Sequence, residues 1–260
     1  MNRLDPSSPE VEVGYKLLNG AKIKFPDSPT EIKLYFSRHG NDHKLPSDFT
    51  DDLQNADIFC FEAIGWEQWQ LDMAQRVAEG DPDTVAEVAG QLNETLFPEQ
   101  AEFARRVYRD LFGSMVKVHF PDVPKNHPLF KEQFRSTRAV SPLLWRIEKG
   151  QQHLVPDNEL QVAAGSLMRQ SVKRDKYVLE HFFPKNIETK PIIHIVGFFG
   201  LMHSGIATIL AREAHKQERD DITVMASGQH EAPALYSFLN RHPNSKNELV
   251  DLLRYWADSP

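Results

Sequence analysis

The chain has 260 residues, 40% hydrophobic and 26% charged, enough to bury the core of one large α/β domain or two small ones. Its formal charge of −7 argues against broad binding to nucleic acid, which needs clustered Lys and Arg. No apolar run approaches the roughly 20 residues of a transmembrane helix, so no membrane span is expected.

The N-terminal "MNRLDPSSPEVEVGYK" is polar and lacks the basic-then-apolar order of a secretory signal, which makes a cytoplasmic location the expectation. Residues 1–30 read as an extended arm with weak β character in "AKIKF". Residues 31–260 read as a single α/β domain with a helical and irregular insertion at about 66–150. The first clear strand is Ile32 to Phe36, closed by "SRHGNDH"; a short helix from Ser47 to about Asn55 follows, then the buried strand "ADIFCF". Cys60, the single cysteine, sits in that strand, so it reads as a structural thiol in a reducing compartment.

From Trp66 to Phe112 apolar residues recur three and four apart, which predicts helices broken at Pro82 and Pro98. "HFPDVPKNHPLF", residues 119–130, holds three prolines and is expected to be irregular, as a lid or as a connector across the surface. A long helix is predicted from Asn158 to Phe183, a buried strand in "PIIHIV", a helix in "IATILAREAHKQ", a strand in "DDITVMAS" and a last helix in "NELVDLLRYWADS". Strands alternating with helices predict an open, mainly parallel sheet with helices on both faces. Ligands of such sheets bind beyond the carboxyl ends of the strands.

Three strand ends stand out. Gly40-Asn41-Asp42-His43 follows one strand, Glu62 ends another, and Gly200-Leu201-Met202-His203 follows a third. Glycine permits the sharp turn at the sheet edge, and the histidine then offers a nitrogen that can bind metal or move a proton. Two imidazoles and a carboxylate can hold a divalent metal ion through His43, Glu62 and His203, or act as acid and base around one substrate. In "KRD", Arg174 reads either as part of a solvated face or as a planar fork reaching over the sheet edge to a carboxylate.

"IKLYFSRHGNDHKLPSDFTDDLQNADIFCFE" and "KRDKYVLEHF" together resemble the TraB/PrgY proteins, of the superfamily that also holds the erythromycin esterases, the ChaN proteins and the Tiki proteases. The resemblance covers about residues 31–65 and 168–215. It implies an α/β core and a broad range of activities: a hydrolase, metal-assisted or not, acting on an ester or peptide-like bond of a small-molecule or peptide substrate, or a haem-iron binder like the ChaN proteins. Carried across, the site residues are Gly40, His43, Glu62, Arg174, Asp175, Gly200 and His203, with Arg38 and His39 beside the substrate. Two departures stand against it: Lys173 occupies the family's Glu position, and the second histidine follows Gly200 rather than Gly197.

"LYFSRHG" also looks like the phosphohistidine motif of the histidine phosphatases, with His39 as nucleophile, Arg38 as phosphate clamp and His230 as second histidine. A third reading keeps the scaffold without the chemistry, as a ligand- or protein-binding module. There Trp66, Trp69, Phe198 and Phe199 would line an apolar pocket, although core packing is the commoner fate of such tryptophans.

Overall fold

The computed structural model describes residues 2–4, 20–37, 46–95, 98–200, 203 and 205–227. Its strands are β1 (Asn2–Arg3), β2 (Thr30–Ser37), β3 (Ile58–Phe61), β4 (Lys117–His119), β5 (Ile193–Gly200) and β6 (Ile222–Ser227). They form one sheet in the order β1-β6-β2-β5-β3-β4, with β1 antiparallel to β6 and every other pair parallel. The helices are α1 (Phe49–Gln54), α2 (Gln68–Ala78), α3 (Pro82–Thr95), α4 (Pro98–Leu111), α5 (Pro128–Glu148), α6 (Asp157–Glu180) and α7 (Gly205–Lys216). Pro82, Pro98 and Pro128 each open a helix, where a missing N–H costs nothing.

The central strand β5 is apolar on both faces because helices cover both. Ile195 and Phe199 pack with Leu34 and Phe36 of β2 against α7 and the end of α6. Val196 and Phe198 pack on the other face with Phe49 and Leu53 of α1, Met73 and Val77 of α2, and Val107 and Leu111 of α4. Gly197 fits because a Cβ there would lie 2.5 Å from Leu34 Cδ2 and 2.9 Å from Phe199 Cε2. Ala21, Ile23 and Phe25 alternate with exposed Lys22 and Lys24 and join the first of these cores, so this part of the arm is fastened to the sheet without strand pairing.

Several sequence-based boundaries shift. The strand expected over "PIIHIV" begins at Ile193 and continues through "GFFG", which buries Phe198 and Phe199 on opposite faces instead of exposing them to a pocket. Trp66 is half-buried, and Trp69 is exposed rather than in the core. The stretch read as an insertion contains edge strand β4. Within the proline-rich stretch behind it, Phe120, Pro121, Asp122 and Val123 are buried, so this part is neither a lid nor a surface connector. The helix expected at "NELVDLLRYWADS" lies outside the described residues. Among the described residues no helix is long and apolar enough to cross a membrane.

The topology places a crevice. α1, which follows β2, covers one face of the sheet, while α7, which follows β5, covers the other. β2 and β5 are neighbours whose following helices lie on opposite faces, and the crevice between such strand ends is where ligands bind in such sheets.

Candidate functional site

Two strand-end loops are joined side by side. Beyond β3, Gly65 N–H donates to Val123 C=O at 2.7 Å; beyond β4, Lys125 N–H donates to Trp66 C=O at 3.0 Å. Trp66 Nε1 donates to Asp122 C=O at 2.7 Å. This pairing fixes Glu62 and Asp122 next to one another at the carboxyl edge, where α6 delivers Arg174 between them.

Arg174 is 5% exposed and holds both carboxylates. Its Nε donates to Asp122 Oδ1 at 2.9 Å and its Nη2 to Asp122 Oδ2 at 2.5 Å, a planar bidentate pair. The same Nη2 donates to Glu62 Oε1 at 2.6 Å. Asp122 also accepts from Val123 N–H at 2.7 Å and Ala63 N–H at 3.2 Å. Burial opposes the guanidinium charge, but Asp122 and then Glu62 outweigh it and raise the Arg174 pKa further.

Glu62 meets a second cation. Its Oε1 lies 3.2 Å from His203 Nε2, and its Oε2 accepts from Gly200 N–H at 2.5 Å. His203 Nδ1 is hydrogen-bonded to Asp175 Oδ1, so the imidazole is held between two carboxylates. Burial by itself would lower the His203 pKa; Glu62 and Asp175 override burial and the opposing Arg174 charge, and it is pushed up to about 10. At neutral pH His203 is therefore an imidazolium. Glu62 is thus flanked by two cations, each backed by an aspartate of its own.

Of the residues singled out in the sequence, Glu62, Arg174, Asp175, Gly200 and His203 come together here. Arg38, His39, Gly40, His43 and His230 lie outside the described residues. Lys173 is on the surface, paired with Glu132 of α5. Cys60 is buried on β3, its thiol raised by burial and directed at Phe182 C=O at 3.6 Å.

Comparison of the chain with protein-family models, curated proteins and solved structures gives no match. The site has to be read from its own geometry.

Asp122 went unnoticed in the sequence. A signal was present, since Val116, Val118 and Phe120 alternate as strand residues do and Asp122 lies just beyond, but the three prolines masked it.

The donor set suits a divalent metal in one respect. Asp175 behind His203 Nδ1 is the kind of support that orients a metal-binding imidazole. However, both His203 nitrogens already face carboxylates, and the Glu62 oxygen that faces Nε2 also takes Arg174 Nη2. A dication bound there would stand beside a guanidinium, at a high electrostatic cost. Among the described residues no three His, Cys, Asp or Glu side chains are grouped to hold a metal. The residues in place fit a metal poorly.

Proposed function

We propose that the chain is a hydrolase of an ester or peptide-like bond that works by proton transfer between Glu62 and His203, without a metal in that transfer. The observation that carries this reading is the 3.2 Å approach of His203 Nε2 to Glu62 Oε1, with Asp175 fixing Nδ1, at the carboxyl ends of β3 and β5. Asp175 sets the tautomer and stabilises the imidazolium, as an aspartate behind a catalytic histidine does. Glu62 accepts the proton of an attacking water, and the imidazolium protonates the departing oxygen or nitrogen. The Glu62–His203 contact then returns the proton to His203. Arg174 holds Glu62 in place from the other side, and Asp122 holds Arg174. The TraB/PrgY resemblance supports the same class of reaction and adds His43 as a further imidazole.

The experiment measures hydrolysis of an aryl ester, a lactone and a labelled casein by the purified full chain and by its Glu62→Gln and His203→Gln variants, with metal content determined in each sample. General acid–base roles predict a loss of at least about 100-fold in both variants. Equal activity in Glu62→Gln, or a stoichiometric metal lost with that substitution, overturns the proposal.

One observation favours a second reading, the binding module without chemistry. The Arg174–Asp122 and His203–Asp175 pairs are nearly shut off from solvent and tie β3, β5, α6 and the loop beyond β4 together, which a purely architectural ion network would also do. Absence of turnover on all three substrates, with folding intact, decides for that reading.

A further inference from the structure

Away from the sheet edge, α3 and α4 flank a half-open cavity of about 380 Å³. Pro82, Val85 and Val88 line it from α3, Tyr108 and Arg109 from α4, and Phe112 from just beyond the end of α4. Val85 and Val88 on one side and Tyr108 with Phe112 on the other give the space an apolar wall, interrupted by Arg105 and Arg109, and the described side chains leave it open. A volume of this size is at the lower end of what small-molecule pockets use.

Three features give the cavity a chemical preference. Its wall is mostly apolar, with Phe112 42% exposed at the edge. The Tyr108 ring leans edge-on against Phe61 at 6.5 Å, while its hydroxyl makes no hydrogen bond among the described residues. Burial pushes that phenol up to about 12, so it stays a donor at any physiological pH. Arg109 is exposed and forms no ion pair among the described residues. Arg105, one turn earlier on α4, adds a second positive charge to the lining.

We propose that this cavity binds a small amphipathic carboxylate, such as a medium-chain fatty acid, with its chain against Val85, Val88 and Phe112 and its carboxylate on Arg109 and the Tyr108 hydroxyl. The ligand buries apolar wall, offers an acceptor to the hydroxyl of half-buried Tyr108, and meets the exposed Arg109 guanidinium. A neutral alcohol of equal length would gain only the first and a weaker form of the second. An alkylammonium would be repelled by Arg109. This binding site does not rest on the hydrolase reading, since neither Glu62 nor His203 lines the cavity.

The test is calorimetric titration of the full chain with octanoate, octan-1-ol and octylammonium. Octanoate is expected to bind at least about tenfold tighter than the alcohol, a charge-assisted hydrogen bond being roughly twice as strong as a neutral one. Arg109→Gln is expected to weaken octanoate about tenfold and leave the alcohol unchanged. Val85→Trp, which fills the cavity, is expected to abolish binding. Should that variant not fold, Tyr108→Phe, lacking only the hydroxyl, is expected to weaken octanoate several-fold. Equal affinity for octanoate and octan-1-ol, octanoate affinity unchanged in both Arg109→Gln and Tyr108→Phe, or no heat of binding up to millimolar octanoate overturns the proposal.

Discussion

Asp122→Asn is the substitution that most directly probes the charged cluster. The aspartate accepts four hydrogen bonds, from Arg174 Nε at 2.9 Å, Val123 N–H at 2.7 Å, Arg174 Nη2 at 2.5 Å and Ala63 N–H at 3.2 Å. An asparagine oxygen can take one of these two pairs, and its NH₂ group then confronts the two donors of the other. The counter-charge is lost as well, and Arg174, 5% exposed, keeps only Glu62. Breaking a buried pair from one side costs about 3–5 kcal/mol because the remaining charge stays buried. With a urea m-value of about 3 kcal/mol/M, the unfolding midpoint should fall by about 1–1.7 M. The companion experiment combines Asp122→Leu with Arg174→Met, which removes both charges and is expected to cost clearly less than the sum of the two single changes. A midpoint shift under about 0.3 M for Asp122→Asn, or strict additivity in the double variant, would refute the reasoning.

Other expectations follow from the same geometry. The folded His203 pKa, pushed up from 6.5 to about 10, adds stability that is complete below pH 6.5 and lost as pH rises towards 10. Urea midpoints at pH 6, 8 and 10 should therefore decline in the native chain and flatten in His203→Gln; parallel profiles would count against the pair. Gly197→Ala should destabilise the fold by about 1–3 kcal/mol, because the methyl group would meet Leu34 at 2.5 Å, and an unchanged melting temperature would show that β5 has room there. Phe198→Ala should cost about 3–5 kcal/mol and Trp69→Ala under about 1 kcal/mol, the first ring being fully buried and the second 44% exposed; the same urea titration checks both.

The open α/β architecture was legible because strand and helix signals are local. A strand buried on both faces is a short apolar run, and helices declare themselves by spacing and by Pro82 and Pro98 at their breaks, whereas Pro128, read as part of an irregular stretch, opens α5, which escaped. β4 escaped because it is only three residues long and adjoins a proline-rich stretch whose backbone reads as irregular. The extension of β5 through Gly197 and Gly200 escaped because glycines ordinarily end strands, and only the packing of Leu34 explains the first of them. Glu62 and His203 could be picked out one at a time as strand-end residues. What the sequence could not supply was their pairing. Whether Arg174 faces solvent or two carboxylates depends on where α6 crosses the sheet edge, and Asp122, its main partner, is separated from it by 52 residues.

The separation of these partners along the chain also bears on how the protein folds. Glu62 bonds Arg174 across 112 residues and Gly200 across 138. Each contact closes a long loop, so the cluster cannot form early, when local helices and turns do. It is expected to close only after β3, β5 and α6 have docked, the two ion pairs then locking in a chain order chosen by the apolar strands. In refolding kinetics, substitutions at Asp122 or Arg174 should accelerate unfolding and leave the folding rate nearly unchanged, the signature of contacts absent from the transition state.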